Sequence, residues 1–307
     1  MEYLVSILIA TIAAGTPLVF AALGELVTEK SGVLNLGVEG MMLVGAIAAF
    51  ATTAATGSPW TGVLAGLLAG AAMALIFAVL TLTLMANQVA AGLALSLFGV
   101  GLSAFVGKAY ESVSLTASAP LQIPLLADIP LIGPVLFSQQ PLVYVSWAVF
   151  AGVAWFLYRS RAGLALRAVG EAPKSAHAIG YSVISIRYLA TLFGGAMAGV
   201  GGAFLSVFYT PLWVENMTSG RGWIALALVV FATWRPARVM IGAYLFGGVT
   251  VAQFFVQGEG AAIPSQFLSM LPYLATIVVL VVISRNLNTI RLNAPVSLGK
   301  PFHPDVA

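Results

Sequence analysis

Residues Glu29–Met42, EKSGVLNLGVEGMM, stand between two apolar stretches and match neither. They hold Glu29, Lys30, Asn35 and Glu39 beside three glycines, yet Val33, Leu34, Leu36 and Val38 keep the segment half apolar. Either this is an ordinary loop between helices, or it is backbone left irregular inside an apolar phase. Composition begins to decide. Of the 307 residues, 60% are hydrophobic and 7% charged, with a mean hydropathy of +1.02. Soluble domains carry about a quarter charged residues. A water-soluble fold of this size cannot hide so much apolar surface, so the chain is an integral membrane protein that crosses the bilayer many times.

A helix needs about 20 apolar residues to cross the hydrocarbon. Runs at 3–23, 41–56, 61–85, 89–107, 142–158, 188–208, 222–234, 239–256 and 267–284 predict an all-α polytopic protein of about nine spans, within a range of about 8–10. The first run lacks a basic flank and is too long for a signal peptide, so it reads as a span. The two shortest, 41–56 and 222–234, are either continued by flanking residues or incomplete crossings.

Lys and Arg accumulate in cytoplasmic loops. The linker 159–187 holds Arg159, Arg161, Arg167, Lys174 and Arg187 against one acid, Glu171. Arg235 and Arg238 in the turn WRPAR, and Arg285, Arg291 and Lys300 in the tail 285–307, fall on the same side under a nine-span count. The C-terminus is therefore expected to be cytoplasmic and the N-terminus external. Segment 108–141, rich in Pro, Ser and Gln, becomes an external loop, read as an ordered cap or as a docking surface. All of 1–307 reads as one transmembrane domain.

Spans one to four and six to nine form two candidate inverted repeats of four helices, joined by span five. The linker GELVTEKSGVLNLGVEG after span one has a counterpart in YTPLWVENMTSGRGW after span six; both mix acids, an asparagine and glycines. Interrupted segments at matching positions of two inverted halves point to a transport pathway between them. Gly62, Gly66 and Gly70, and again Gly195 and Gly199, recur every four residues. Small residues at that interval let helix backbones approach closely in lipid; a hinge or a pore lining is the other reading.

Several chemistries are excluded. The chain has no cysteine, hence no disulfide, thiolate metal site or thiol nucleophile, and its two histidines, His177 and His303, lie far apart. No metal site and no cofactor of its own is expected. No phosphate-binding G-x-x-x-x-G-K-[ST] loop is present, so ATP is not bound in that way. No catalytic triad, H-E-x-x-H pair or carboxylate dyad appears, which argues against a membrane-embedded enzyme. The net charge of +3 is accounted for by basic cytoplasmic loops, not by nucleic acid. Ion-coupled carriers place charge within their spans. Here the predicted spans are nearly free of charge, with Glu39 the main candidate close to one. That argues against a proton-driven mechanism, although a sodium site built from carbonyls stays open.

Four residues are candidates for a polar substrate path. Asn35 and Glu39 are four apart and share a face if helical. Asn87 and Gln88 precede span four and read either as path residues or as a polar helix start. Uncharged hydrogen-bonding walls suit a neutral polar solute held weakly enough to leave. In the cytoplasmic linker, EAPKSAHAIG predicts a short helix, with Pro173 at its first position and Gly180 just past its end. Such a helix, with Ala176, Ala178 and Ile179 forming a small apolar surface, either plugs a partner's groove or lies on anionic headgroups.

EKSGVLNLGVEGMMLVGA, ANQVAAGLALSLFGVGLSAF and GLALRAVGEAPKSAHAIGYSV together resemble the permease subunits of bacterial ABC importers, most nearly the nucleoside or simple-sugar type, related to ribose and branched-chain amino-acid permeases. The resemblance runs from about residue 15 to 285, with the motifs in the family's order. It implies a type II ABC importer-like architecture in the bacterial cytoplasmic membrane. Two permeases, commonly different homologous chains, would form the channel. Partner ATPases would hold ATP and Mg, and a periplasmic or lipid-anchored substrate-binding protein would deliver the solute. The linker helix becomes the coupling helix, with Gly170, Glu171, Pro173, Ala176 and Gly180 matching the family pattern and Ala172 and His177 departing from it. Ser96 stands in the second motif where asparagine is expected, and is added to the substrate path. The expected function is ATP-driven import of a small polar solute, foremost nucleosides, by alternating access. Simple sugars, branched-chain amino acids and an ion-coupled carrier are the alternatives.

Overall fold

The computed structural model describes residues 2–130, 132–258, 293–303 and scattered positions between 267 and 281. Helix α1 (Glu2–Lys30) is followed by a non-helical break and then by α2 (Val38–Thr56). Next come α3 (Pro59–Ala78, extended by a π-helical turn to Thr83) and α4 (Gln88–Gly107). A segment with strand β1 (Leu121–Gln122), helix α5 (Ile132–Phe137) and strand β2 (Ser138–Gln139) leads to α6 (Pro141–Arg159). Then follow α7 (Arg161–Glu171), α8 (Pro173–Ala178), α9 (Val183–Ala203, with a π-helical turn to Tyr209), α10 (Arg221–Phe231) and α11 (Pro236–Gly258).

Among the described residues seven helices, α1, α2, α3, α4, α6, α9 and α11, are long and apolar enough to cross a membrane. The fold is thus all-α and polytopic. Of the two short predicted spans, α2 gains a turn from Val38 onward, whereas α10 stops at eleven residues and is an incomplete crossing. The first span runs past its predicted end at residue 23 to Lys30 and carries Glu25 and Glu29 into the bundle. Predicted span 267–284 lies largely outside the described residues, as does much of the tail 285–307.

Local chemistry sets the boundaries. Pro59, Pro141 and Pro173 sit in first turns, where a missing N–H costs nothing. The Oδ1 of Asn87 accepts from Ala90 N at 3.0 Å and the Oγ of Ser160 from Gly163 N at 2.9 Å, capping α4 and α7.

Glycine faces set the packing. Helix α9 is the central element, buried against α1, α2 and α3. A Cβ at Gly66 would meet Gly199 O at 3.1 Å, and one at Gly70 would strike Gly195 O, so α3 and α9 run antiparallel in backbone contact. On α1, Gly15 faces Ala243–Tyr244 and Thr11 faces Gly247, an antiparallel pairing with α11. The two pairs correspond: α1 of the first half against α11 of the second mirrors α9 of the second against α3 of the first, as an inverted repeat requires. The four-residue glycine spacing is therefore a packing device.

Segment 108–141 is ordered. Strands β1 and β2 pair antiparallel, and Leu115 N donates to Pro211 O at 2.9 Å, so the segment folds over the residues that follow α9. The opposite end of the bundle gathers Lys30, α7, α8 and the WRPAR turn, and is called here the basic end.

Candidate functional site

The break after α1 is built, not slack. Gly32 turns the chain with φ +91°, a left-handed conformation that favours glycine, and a Cβ there would also run into Ser297 and Arg187. From this point the chain climbs beside α4. Leu34 N donates to Gln88 Oε1 at 2.8 Å, and Ser96 Oγ donates to Leu36 O at 2.9 Å. Gly40 then packs on Leu95 and Ser96, with Gly99 against it. Advancing along α4 from residue 88 to 99 raises the chain by about 16 Å at 1.5 Å per residue, half the length of that helix. Helix α2 accordingly begins midway through the bundle.

Asn35 shapes the turn. Its Oδ1 accepts from Gly37 N at 2.9 Å, an Asx turn, and its backbone N donates to Glu25 Oε1 at 3.2 Å. Both side chains are buried. One turn further along α1, Glu29 Oε2 accepts from Trp234 Nε1 at 2.5 Å, tying α1 to the residues after α10.

Glu39, in the first turn of α2, joins the two interrupted segments. Its Oε1 accepts from Thr218 Oγ1 at 2.5 Å and from Gly220 N at 2.9 Å, and its Oε2 from Gly222 N at 2.6 Å. Helix α10 opens at Arg221, so the carboxylate caps its N-terminus, where unpaired N–H groups and the helix dipole favour an anion. Gly222 packs directly on Glu39, and a Cβ would meet the Glu39 backbone at 2.5 Å. The two segments matched in sequence as counterparts thus touch: the acid comes from the first and the donors from the second.

Four of the five predicted path residues, Asn35, Glu39, Gln88 and Ser96, meet around the break. All four are buried, and they spend hydrogen bonds on the protein's own backbone. Asn35, Gln88 and Ser96 bond to the backbone of the break, and Glu39 to the residues that open α10. Gln88 Nε2 is buried and has no hydrogen-bond partner among the described residues. Asn87 stands apart as the exposed cap of α4, the polar helix start. The shared-face expectation for Asn35 and Glu39 does not hold, because Asn35 lies in the non-helical break and only Glu39 is on a helix. Sequence reading missed Glu25, Glu29, Thr218 and Trp234. The four-residue spacing of Glu25 and Glu29 was visible, but the first span was ended before them.

At the basic end, the predicted short helix is α8, with Pro173 in its first turn and Gly180 beyond its end at φ +94°. Ala176 turns inward onto Val169, Val183 and Phe302, leaving Glu171, Lys174 and Ile179 exposed and Pro173 half-buried. Gly170 is also internal: a Cβ would strike Lys30 O. Ala176 is therefore an anchor, not part of an offered apolar surface. A cavity of about 480 Å³ opens elsewhere, between α1, α6, α7 and α9, but apolar side chains such as Val153, Phe156 and Leu189 line it and provide nothing for a polar solute.

Comparison with known proteins agrees with this geometry. Residues 7–283 match the family described as "Branched-chain amino acid transport system / permease component". An ABC transporter permease of Haloferax volcanii named for glucose is 40% identical over the whole of both chains. The nucleoside ABC transporter permease protein NupC of Lactococcus lactis is 34% identical, over 86% of this chain and 88% of its own. The guanosine ABC transporter permease protein NupQ of Bacillus subtilis is 31% identical over 95% of each. The family match removes the ion-coupled carrier as an alternative. The chain belongs to this permease family and is a multi-pass, all-helical membrane subunit of an ABC transporter.

Proposed function

We propose that this subunit passes nucleosides across the bacterial cytoplasmic membrane by alternating access, paired with a second homologous permease chain. ATP and Mg are held by ATPase subunits that dock on the exposed face of α8, and a binding protein outside the membrane delivers the solute. On this reading the basic end is cytoplasmic, the N-terminus and 108–141 are external, and the tail is cytoplasmic. The observation that carries the reading is the meeting of two interrupted segments midway through the bundle, joined by Glu39. Half-helix N-termini at that depth are where transporters of inverted-repeat architecture place their pathway. Nucleosides are favoured by the two relatives named for nucleoside and guanosine transport. The relative named for glucose, matched along its full length, favours a simple sugar as the second reading.

The test is uptake into proteoliposomes holding both permeases, the ATPase and the binding protein, with labelled guanosine, uridine, glucose and leucine. ATP-dependent uptake of the two nucleosides in preference to the others is the expected result. ATP-dependent uptake of glucose alone would replace the first reading with the second, and leucine alone would remove both.

A further inference from the structure

The tail residues at the basic end are bonded both to the last turn of α7 and to the turn that starts the break. Ser297 N and Ser297 Oγ both donate to Gly170 O, at 3.0 and 2.6 Å, holding the tail on the last turn of α7. Gly299 N donates to Gly32 O at 3.1 Å, holding it equally on the turn that starts the break. Lys30 Nζ donates to Asn293 O at 2.7 Å. Phe302 is buried with Ala176 and Val183, and its ring meets that of His177 edge-on, with 5.6 Å between centroids.

Arg187 sits at the centre. It is buried, 1% exposed, and its guanidinium donates in three directions: Nε to Ser31 O at 3.1 Å, Nη2 to Ser297 Oγ at 3.0 Å and Nη1 to Lys300 O at 3.1 Å. A planar fork of fixed donors suits such a junction, and a lysine could satisfy only part of it. Arg187 belongs to α9, Ser31 to the break, and Ser297 and Lys300 to the tail. A cleft of about 350 Å³ lies between α8 and the tail, with Glu171, Pro173 and Lys174 on one wall and Pro301 and His303 on the other.

We infer that tail residues 296–302, clasped by Arg187, form a strap that transmits displacement of α8 to the break at Ser31–Gly37. The inference rests on α8 being the ATPase-docking helix, as proposed above. Contact runs without a gap from α8 through Phe302 and Ser297 to Arg187 and Gly32, and from there along α4 to Glu39 and the start of α10. Helix α8 has six residues and one buried anchor, Ala176, so by itself it has little purchase on the bundle. The tail supplies a second attachment, and that attachment ends on the break. Arg187 is a positioning residue: it touches no substrate and acts through the tail.

The chain contains no cysteine, so an introduced thiol is the only one in this subunit, and labelling is read on this subunit after the complex is separated. In the complete reconstituted complex, Ile179→Cys reads docking, by protection when the ATPase is present. Leu36→Cys reads the break, by its change in reaction rate with a thiol reagent when ATP is trapped. Each reporter is combined with removal of residues 295–307, with Phe302→Ala and with Arg187→Lys. The strap predicts that protection at Ile179→Cys persists while the ATP-dependent change at Leu36→Cys shrinks about fivefold or more, the range of a real coupling between sites. Should the shortened chain fail to insert, the two point variants carry the same test, since they keep the chain length and most of the packing. An undiminished response at Leu36→Cys with docking intact overturns the strap and leaves the docking role standing. Absence of protection at Ile179→Cys in the otherwise native chain overturns the docking role, and the strap falls with it.

Discussion

The two interruptions of the bundle, 31–37 after α1 and 210–220 after α9, occupy equivalent places in the two halves but are built differently. The first is buried along most of its length and lies against α4, bonded at Leu34 and Leu36. The second exposes Leu212, Val214, Glu215 and Asn216 and leans on the cap segment through Leu115. The first contributes an acceptor, the Glu39 carboxylate, and the second contributes a hydroxyl and two backbone N–H groups. An inverted repeat need not be an energetic repeat: at this junction one half supplies the acceptor and the other the donors.

The largest expected effect is that of Glu39→Leu. It leaves three donors buried without an acceptor and is expected to destabilise the protein by about 4 kcal/mol, as breaking a buried charged network does. Thermal unfolding of the purified protein in detergent measures this, and a cost no larger than that of Ser96→Ala would mean that the halves are not joined there. Gln88→Leu removes the acceptor of Leu34 N and should cost about 2 kcal/mol, the penalty of one unsatisfied buried donor. The loss should be matched by faster amide exchange in the first break only. If exchange rises equally around 212–219, the two breaks are not independent.

Thr218→Val takes one of the three donors from Glu39 and leaves the two backbone ones, so about 1.5 kcal/mol is expected. Thr218→Ser keeps the hydroxyl and should recover most of that loss in the same melting experiment. Ser96→Ala deletes a hydrogen bond between helix and break and should cost only about 0.6 kcal/mol, typical for side-chain bonds within membrane bundles. A fifth measurement needs no substitution. Amide exchange in the unaltered protein should be faster at 212–219 than at 31–37, because the second segment is the more exposed; the reverse order would invert the comparison.

Much of this was legible before the fold was seen. Gly62, Gly66, Gly70, Gly195 and Gly199 announced close helix contacts by their spacing alone. Pro173 and Gly180 bracketed α8 because each performs its task within one turn of backbone. The irregularity of the break was legible too, although it ends at Gly37, the residue before α2, since charged and glycine-bearing chain is stable in an apolar phase only when protein surrounds it. What could not be read were the partners. Ala176 was placed on an offered face, yet it faces Phe302, which lies 126 positions later in the chain. Arg187 counted as one more basic linker residue, although it is buried and bonded to three separate places.

By itself the sequence determined the phase in which this protein lives, the rough positions of the seven long helices among the described residues, and the place where the first of them is interrupted. Those properties depend on hydropathy and on residues within a few positions of one another. Only the tertiary structure decided that Glu39 caps a helix lying 182 residues further along the chain, that Gln88 and Ser96 serve the break, and that the tail returns to Gly32. A buried hydrogen bond is specific to a pair of groups, and no local pattern in the chain says which two distant groups will meet.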